Sequence, residues 1–207
     1  MVGYTDNDHD QIRNVIYTIG GPGSGLGTGS NTINNSAISD TESDEISVSV
    51  TVGHNFYNGM LTFSPYGRID YADIEIDGFT ESMSQTTALG SGLALDIDEQ
   101  DFESLMLTFG GTATMQWGER FFPQVTAEYI HEFKNDNAPI TGRFVNDSSR
   151  TPFLLLTDSP DRNYFNLGVG MTALISDQIT GFARYQALVG YEDLDVHAVE
   201  VGIRVGF

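Results

Sequence analysis

From residue 44 to the end of the chain, apolar and polar residues alternate. Ile46, Val48, Val50, Val52, His54 and Phe56 take one set of positions; Ser47, Ser49, Thr51, Gly53 and Asn55 take the other. A period of two marks a β-strand with two unlike faces, so a strand is predicted over 46–56. Six more follow at about 60–77, 102–117, 121–133, 163–175, 179–190 and 197–207. In each, residues such as Leu61, Phe63 and Ile69, or Leu105, Leu107 and Phe109, oppose a face of threonine, serine, glycine and isolated charges.

The connections alternate too. Short turns stand at 57–59, 118–120 and 176–178, the first carrying the Asn58-Gly59 pair that favours hairpins. Longer acidic links stand at 78–101, 134–162 and 191–196. In an antiparallel meander this gathers every short turn at one end and every long loop at the other, as in transmembrane β-barrels. The strands have the length to cross a bilayer at a tilt, which takes ~9–11 residues. Residues 1–43 read differently: Gly20 to Ser30 is nearly all glycine, serine and threonine, Asn31 to Ser43 is polar, and only Val2-Gly3-Tyr4 suggests a strand. The expected organisation is a polar loop over 1–43 with a strand stub at 2–4, then barrel strands over 44–207.

Alternation alone does not separate a membrane barrel from a soluble sandwich, because both have two unlike faces. Three features favour the barrel. The polar face is crowded with small residues and a few charges, namely Arg68, Asp70, Glu128, Arg184, Gln186, Glu200 and Arg204, as a wet lumen would be. Aromatics gather near strand ends: Phe56, Tyr57, Trp117, Phe121 and Phe122 beside the short turns, Tyr71, Tyr129 and Phe133 toward the other end. The chain also ends on an alternating strand that closes with Phe207.

Charge narrows the function classes. A formal net charge of −20, with one lysine, excludes a phosphate-binding basic surface and so nucleic acid as a partner. There is no cysteine. Met1-Val2-Gly3-Tyr4 leads straight into polar residues with no visible secretory signal; a membrane barrel needs one, so the expectation is that it was removed or that the chain is a fragment. Candidate chemistry is sparse. Asp6, Asp8 and Asp10 begin a calcium-loop rhythm but lack glycine at the sixth place and glutamate at the twelfth, which is Tyr17; Asp96, Asp98, Glu99 and Asp101 are similar. Both read as solvated loop. Gly21-Pro22-Gly23-Ser24-Gly25-Leu26-Gly27 matches neither a P-loop nor a nucleophile elbow. His9, His54, His131 and His197 lack metal-ligand spacing, and no catalytic triad is apparent. No catalytic residue, metal site or cofactor is expected.

Several segments resemble the autotransporter β-domain: Ser64-Pro65-Tyr66-Gly67-Arg68-Ile69-Asp70-Tyr71, Ile76-Asp77-Gly78-Phe79-Thr80-Glu81, Ala127-Glu128-Tyr129-Ile130-His131-Glu132-Phe133, and Tyr185 to Gly190 followed by His197-Ala198-Val199. Their order and spacing cover about 44–207. The last strand, with Val199, Val201, Ile203, Val205 and terminal Phe207 at alternate positions, resembles the signal read by the barrel assembly machinery. The resemblance implies an all-β, antiparallel, twelve-stranded barrel of which these are the last seven or eight strands. It implies an outer-membrane location with extracellular loops and a periplasmic C-terminus. Its partners would be outer-membrane lipid, the assembly machinery and the chain's own passenger domain. The function implied is type V secretion: anchoring a passenger and exporting it to the cell surface. The lumen-face charges read either as a polar lining for the passenger or as partners for one another inside a wet barrel, and the two readings are compatible. Two alternatives remain at this point: a small stand-alone structural or adhesive outer-membrane barrel, and a soluble β-barrel that binds an apolar ligand in its core.

Overall fold

The computed structural model describes residues 1–20, 30–88, 90–134, 139–157, 161–191 and 194–206. Its strands are β1 (Val2–Gly20), β2 (Ser30–Gly53), β3 (Phe56–Asn58), β4 (Leu61–Ile76), β5 (Phe79–Thr80), β6 (Ser82–Met83), β7 (Leu95–Ile97), β8 (Gln100–Met115), β9 (Phe121–Glu132), β10 (Ile140–Phe144), β11 (Phe153–Leu155), β12 (Asn163–Ser176), β13 (Ile179–Val189) and β14 (His197–Val205). The long strands form one sheet in the order β1-β2-β4-β8-β9-β12-β13-β14, each antiparallel to the next. This is the predicted meander. The hairpin turn after β3 places Gly59 at a left-handed φ of 59°, which a side chain tolerates poorly.

The sheet is inside out by the standards of a water-soluble protein. Phe63, Ile69, Phe109, Val125, Phe165 and Val169 are exposed, Phe109 to 56%. On the other face Thr108 is 1% exposed and Glu132 5%. Polar side chains there reach across an intervening strand: the Tyr66 hydroxyl on β4 donates to Glu128 on β9, and the Tyr164 hydroxyl on β12 contacts Met106 Sδ on β8 at 3.5 Å. Backbones also close up under them. A Cβ on Gly110 would stand 2.8 Å from Glu128 Cγ and 3.0 Å from the Ala127 carbonyl, so only glycine lets Glu128 lie flat between the strands.

Two expectations need correction. Residues 1–43 are not a loop with a stub: β1 and β2 zip from Val2 opposite Val48 to Gly20 opposite Ser30. The pairing needs little hydrophobic alternation, because backbone hydrogen bonds along both strands satisfy the chain and the far half packs on a few apolar residues. Val15, Ile33, Ala37, Met83 and Ala94 form that core, with Leu93 against it. Burying a side chain of the larger kind is worth ~1.5–3 kcal/mol. The glycine-rich run 21–29 lies outside the described residues, as does Phe207. The second correction concerns the long links 78–101 and 134–162, which are not structureless. They contribute β5, β7, β10 and β11 to a separate sheet in the order β11-β10-β7-β5. Arg143 clamps it, reaching Asp96 at 2.8 Å and also Asp98.

Candidate functional site

The polar face of the long sheet is built by parity and register. On β4, β8, β9, β12, β13 and β14 the even-numbered residues share it, and register then sets which ones meet. Ser64 is opposite Thr112, Thr112 opposite Thr126, Thr126 opposite Gly168, and Gly168 opposite Gln186. One step along, Tyr66, Gly110, Glu128 and Asn166 make a row; the next is Arg68, Thr108, Ile130 and Tyr164.

Within these rows Glu128 is the central acceptor. It takes the Tyr66 hydroxyl on one oxygen and Asn166 Nδ2 at 2.7 Å on the other. Arg68 Nε donates to Asp70 Oδ2 at 2.7 Å, and Ser49 Oγ donates to Asp70 Oδ1 at 2.7 Å. Glu132 is enclosed by donors: Ser104 Oγ at 2.6 Å and the backbone amides of Leu105 and Lys134, each at 2.9 Å. A buried carboxylate is tolerable only with such a set. Thr112 and Thr126 hydroxyls meet at 3.0 Å. The arrangement is a hydrogen-bonded polar lining whose bonded groups do not converge on a reacting atom. Thr108 has a buried hydroxyl with no partner among the described residues.

By strand parity and register, Arg68, Asp70, Glu128, Arg184, Gln186, Glu200 and Arg204 fall on one face of the long sheet. Arg68, Asp70 and Glu128 are half-buried neighbours in successive rows. Arg184 and Glu200 pair at 3.2 Å as an exposed couple near the β14 edge, Gln186 is half-buried beside Gly168, and Arg204 is exposed on β14. Sequence reasoning did not single out Tyr66, Asn166, Thr108 or Glu132 on the same face. Their parity was available from the alternation; their contacts were not, because these depend on the register of strands far apart in the chain.

The rim toward the long links is aromatic over the later strands. Tyr129 donates to Asn163 Oδ1 at 2.5 Å, His131 Nδ1 lies 2.8 Å from the same oxygen, and the Tyr185 hydroxyl lies 2.8 Å from His197 Nδ1. His54 packs edge-on to Phe56 with centroids 4.7 Å apart. These histidines therefore sit among aromatic and polar neighbours. Just past β9, Lys134 pairs with Glu103, whose carboxylate raises the ammonium above its ordinary range. Of the acidic stretches, Asp96 and Asp98 are taken up by Arg143, whereas Glu99 and Asp101 lie with Glu75 in an exposed group whose ligand atoms are all within 4.8 Å of one another. Val199, Val201, Ile203 and Val205 project from the exposed face of β14, which among the described residues pairs only with β13.

Residues 1–186 match the family model described as autotransporter β-domain. The chain belongs to the autotransporter β-domain family. This β-domain is therefore an outer-membrane, type V secretion barrel protein, with an antiparallel all-β fold that agrees with its strand pattern. It is 29% identical over 106 residues to an uncharacterized protein in the trpE-trpG intergenic region of Pseudomonas putida, a match covering 49% of this chain and 17% of that one. It is 14% identical to the crystallised transport unit of the autotransporter AIDA-I from Escherichia coli, covering 100% of this chain and 60% of that one with a TM-score of 0.37. The chain thus spans less than two thirds of either protein.

Proposed function

We propose that this β-domain is the later part of an outer-membrane translocator that anchors an N-terminal passenger and passes it to the cell surface. The supporting observation is the inverted sheet: apolar side chains face outward along strands whose other face holds a hydrogen-bonded polar lining. Lipid suits the first face and a water-filled path the second. In this reading Arg68, Asp70, Glu128, Arg184, Gln186, Glu200 and Arg204 line the path. The alternating residues of β14, together with Phe207, are what the assembly machinery reads. The long links lie outside the cell, and the short turns and C-terminus lie in the periplasm. The role is translocation, not catalysis, and needs no cofactor.

The open sheet supports the larger barrel over a closed eight-stranded one. Among the described residues no backbone pairing joins β1 to β14, so both outer edges await further strands, which the family's twelve would supply. A soluble barrel with an apolar core fares worse, because Val50, Ile69 and Phe109 are on the exposed face.

The chain has no cysteine, so single cysteines report cleanly. In cells carrying the full gene product, with an epitope placed N-terminal to residue 1, a membrane-impermeant maleimide is expected to label Ser149→Cys and spare Glu119→Cys. External protease is expected to remove the epitope. Labelling of Glu119→Cys alone would reverse the orientation. Surface loops with an epitope retained inside would leave a membrane barrel that exports nothing.

A further inference from the structure

The hairpin of β1 and β2 has one covered face and one bare face. Odd-numbered residues of its far half pack on Met83, Leu93 and Ala94, and Arg13 reaches across to Glu81 at 2.7 Å and to the Leu93 carbonyl at 2.8 Å. Even-numbered residues face away. There Ile12 stands opposite Ile38, with Ile16 further out; Ile12 is 70% exposed and Ile16 66%. Nothing in the chain covers them among the described residues.

On the same face, between these isoleucines and the barrel, carboxylates oppose one another. Asp10 is opposite Asp40, Asp8 opposite Glu42, and Asp6 opposite Asp44. The last rung continues sideways, with Asp44 opposite Glu75 and Glu75 opposite Asp101, so four neighbouring strands each place a carboxylate in one row. Like charges directly opposite each other destabilise a sheet. Several cations of the outer region are used elsewhere: Arg13 by Glu81, Arg143 by Asp96 and Asp98, Arg150 by Asp96, Lys134 by Glu103. None of the facing carboxylates on the hairpin is in an ion pair among the described residues.

We propose that this face of the β1–β2 hairpin is a docking surface for a cationic, amphipathic polypeptide. Lysine or arginine side chains of an extended partner meet the carboxylate rungs, and its apolar side chains lie on Ile12, Ile16 and Ile38. Side chains on one face of a strand recur every second residue, and an extended partner repeats at the same interval. The order along the face selects this occupant. Lipid tails would need the isoleucines next to the apolar belt, but the carboxylate rungs intervene. A metal ion would have no use for isoleucines. A second copy carries the same net charge of −20. The proposal rests on the function above only in placing this face outside the cell, and binding by the purified barrel does not depend on export.

The test uses the full chain folded in nonionic detergent, with empty micelles subtracted. The probes are a synthetic alternating lysine–leucine peptide and its glutamate–leucine counterpart. Only the lysine peptide should bind. The double variant Asp8→Asn/Glu42→Gln should weaken it about tenfold. Ile12→Ser/Ile16→Ser should weaken it about fivefold, because both side chains are already exposed and the fold does not need them. Glu119→Gln/Asp177→Asn, which removes the same charge at the short turns, should leave affinity unchanged. Equal loss in that control would reduce the effect to net charge and overturn the proposal. So would equal binding of the glutamate peptide, insensitivity to the isoleucine change, or concentration-dependent self-association that disappears in Ile12→Ser/Ile16→Ser.

Discussion

Strand β2 passes through two regions that obey opposite rules. Near the middle of the long sheet its even residues, Val50 and Val52 among them, are apolar and exposed, while Ser49 and Thr51 fall on the polar face. Farther out, odd residues Ile33 and Ala37 are apolar and buried, and the even Asn34 and Ser36 face outward. The apolar phase shifts by one residue within a single continuous strand. In water, apolar groups turn inward against protein; in a bilayer, lipid accepts them and polar groups turn inward instead. On the function proposed above, the phase of this strand would mark where lipid ends.

The hardest way to break that contrast is to put a charge on the lipid side. Ile69→Arg should destabilise the inserted barrel by ~2–4 kcal/mol if Ile69 lies near the midplane. Urea titration in lipid vesicles measures it, and a cost no greater than that of Ile69→Ala would deny the lipid contact. Ala37→Leu tests the outer region by overfilling a position only 1% exposed, at a cost of ~1–3 kcal/mol. Limited proteolysis should then open the segment around Met83 and Ala94 while the long sheet stays resistant. Loss of the whole barrel would mean that the two regions are one cooperative unit. Glu132→Ala leaves Ser104 Oγ and two backbone amides without their acceptor, which costs about 1–3 kcal/mol. Unchanged urea stability would argue that water replaces the carboxylate.

The smallest effect belongs to the outer links. The backbone amides of Thr151 and Ser149 donate to the exposed Asp147 carboxylate and hold it below its ordinary range. A lowered folded-state value means that the contribution is present above the ordinary carboxylate range and is lost as pH falls through the lowered value. Protection of the Ser149 and Thr151 amides, taken relative to the intrinsic exchange rate at each pH, should fall over that acidic window. The same profile in Asp147→Asn would remove the carboxylate from the explanation.

The long strands were legible because each repeats its alternation many times and the two solvents differ so strongly. The strand predicted at 102–117 is β8 (Gln100–Met115), and that at 121–133 is β9 (Phe121–Glu132). Apart from 2–4 and 46–53, the β1–β2 hairpin was illegible for the converse reason. Its outward face is polar or acidic with isolated isoleucines, its inward face mixes Val15 and Ile33 with Asn35 and Ser39, and no period survives. The small sheet escaped because β5 and β11 are too short to show a period, and because Asp96 and Arg143 meet only through tertiary pairing. At the polar lining, parity named the face. The Glu128 contacts depended on register, which alternation does not encode.

The sheet formed by the long links has a consequence for the order of assembly. Leu95 pairs with Phe144, yet between them in the chain lies the whole β8–β9 hairpin. Until that hairpin forms, joining the two links closes a wide loop at an entropic cost; once it forms, their ends are already neighbours and the closure costs little. The Arg143–Asp96 bond is therefore expected to form late, after β8 and β9 have met. A donor and acceptor dye on the two links would time the completion of the central strands without touching the membrane-spanning sheet.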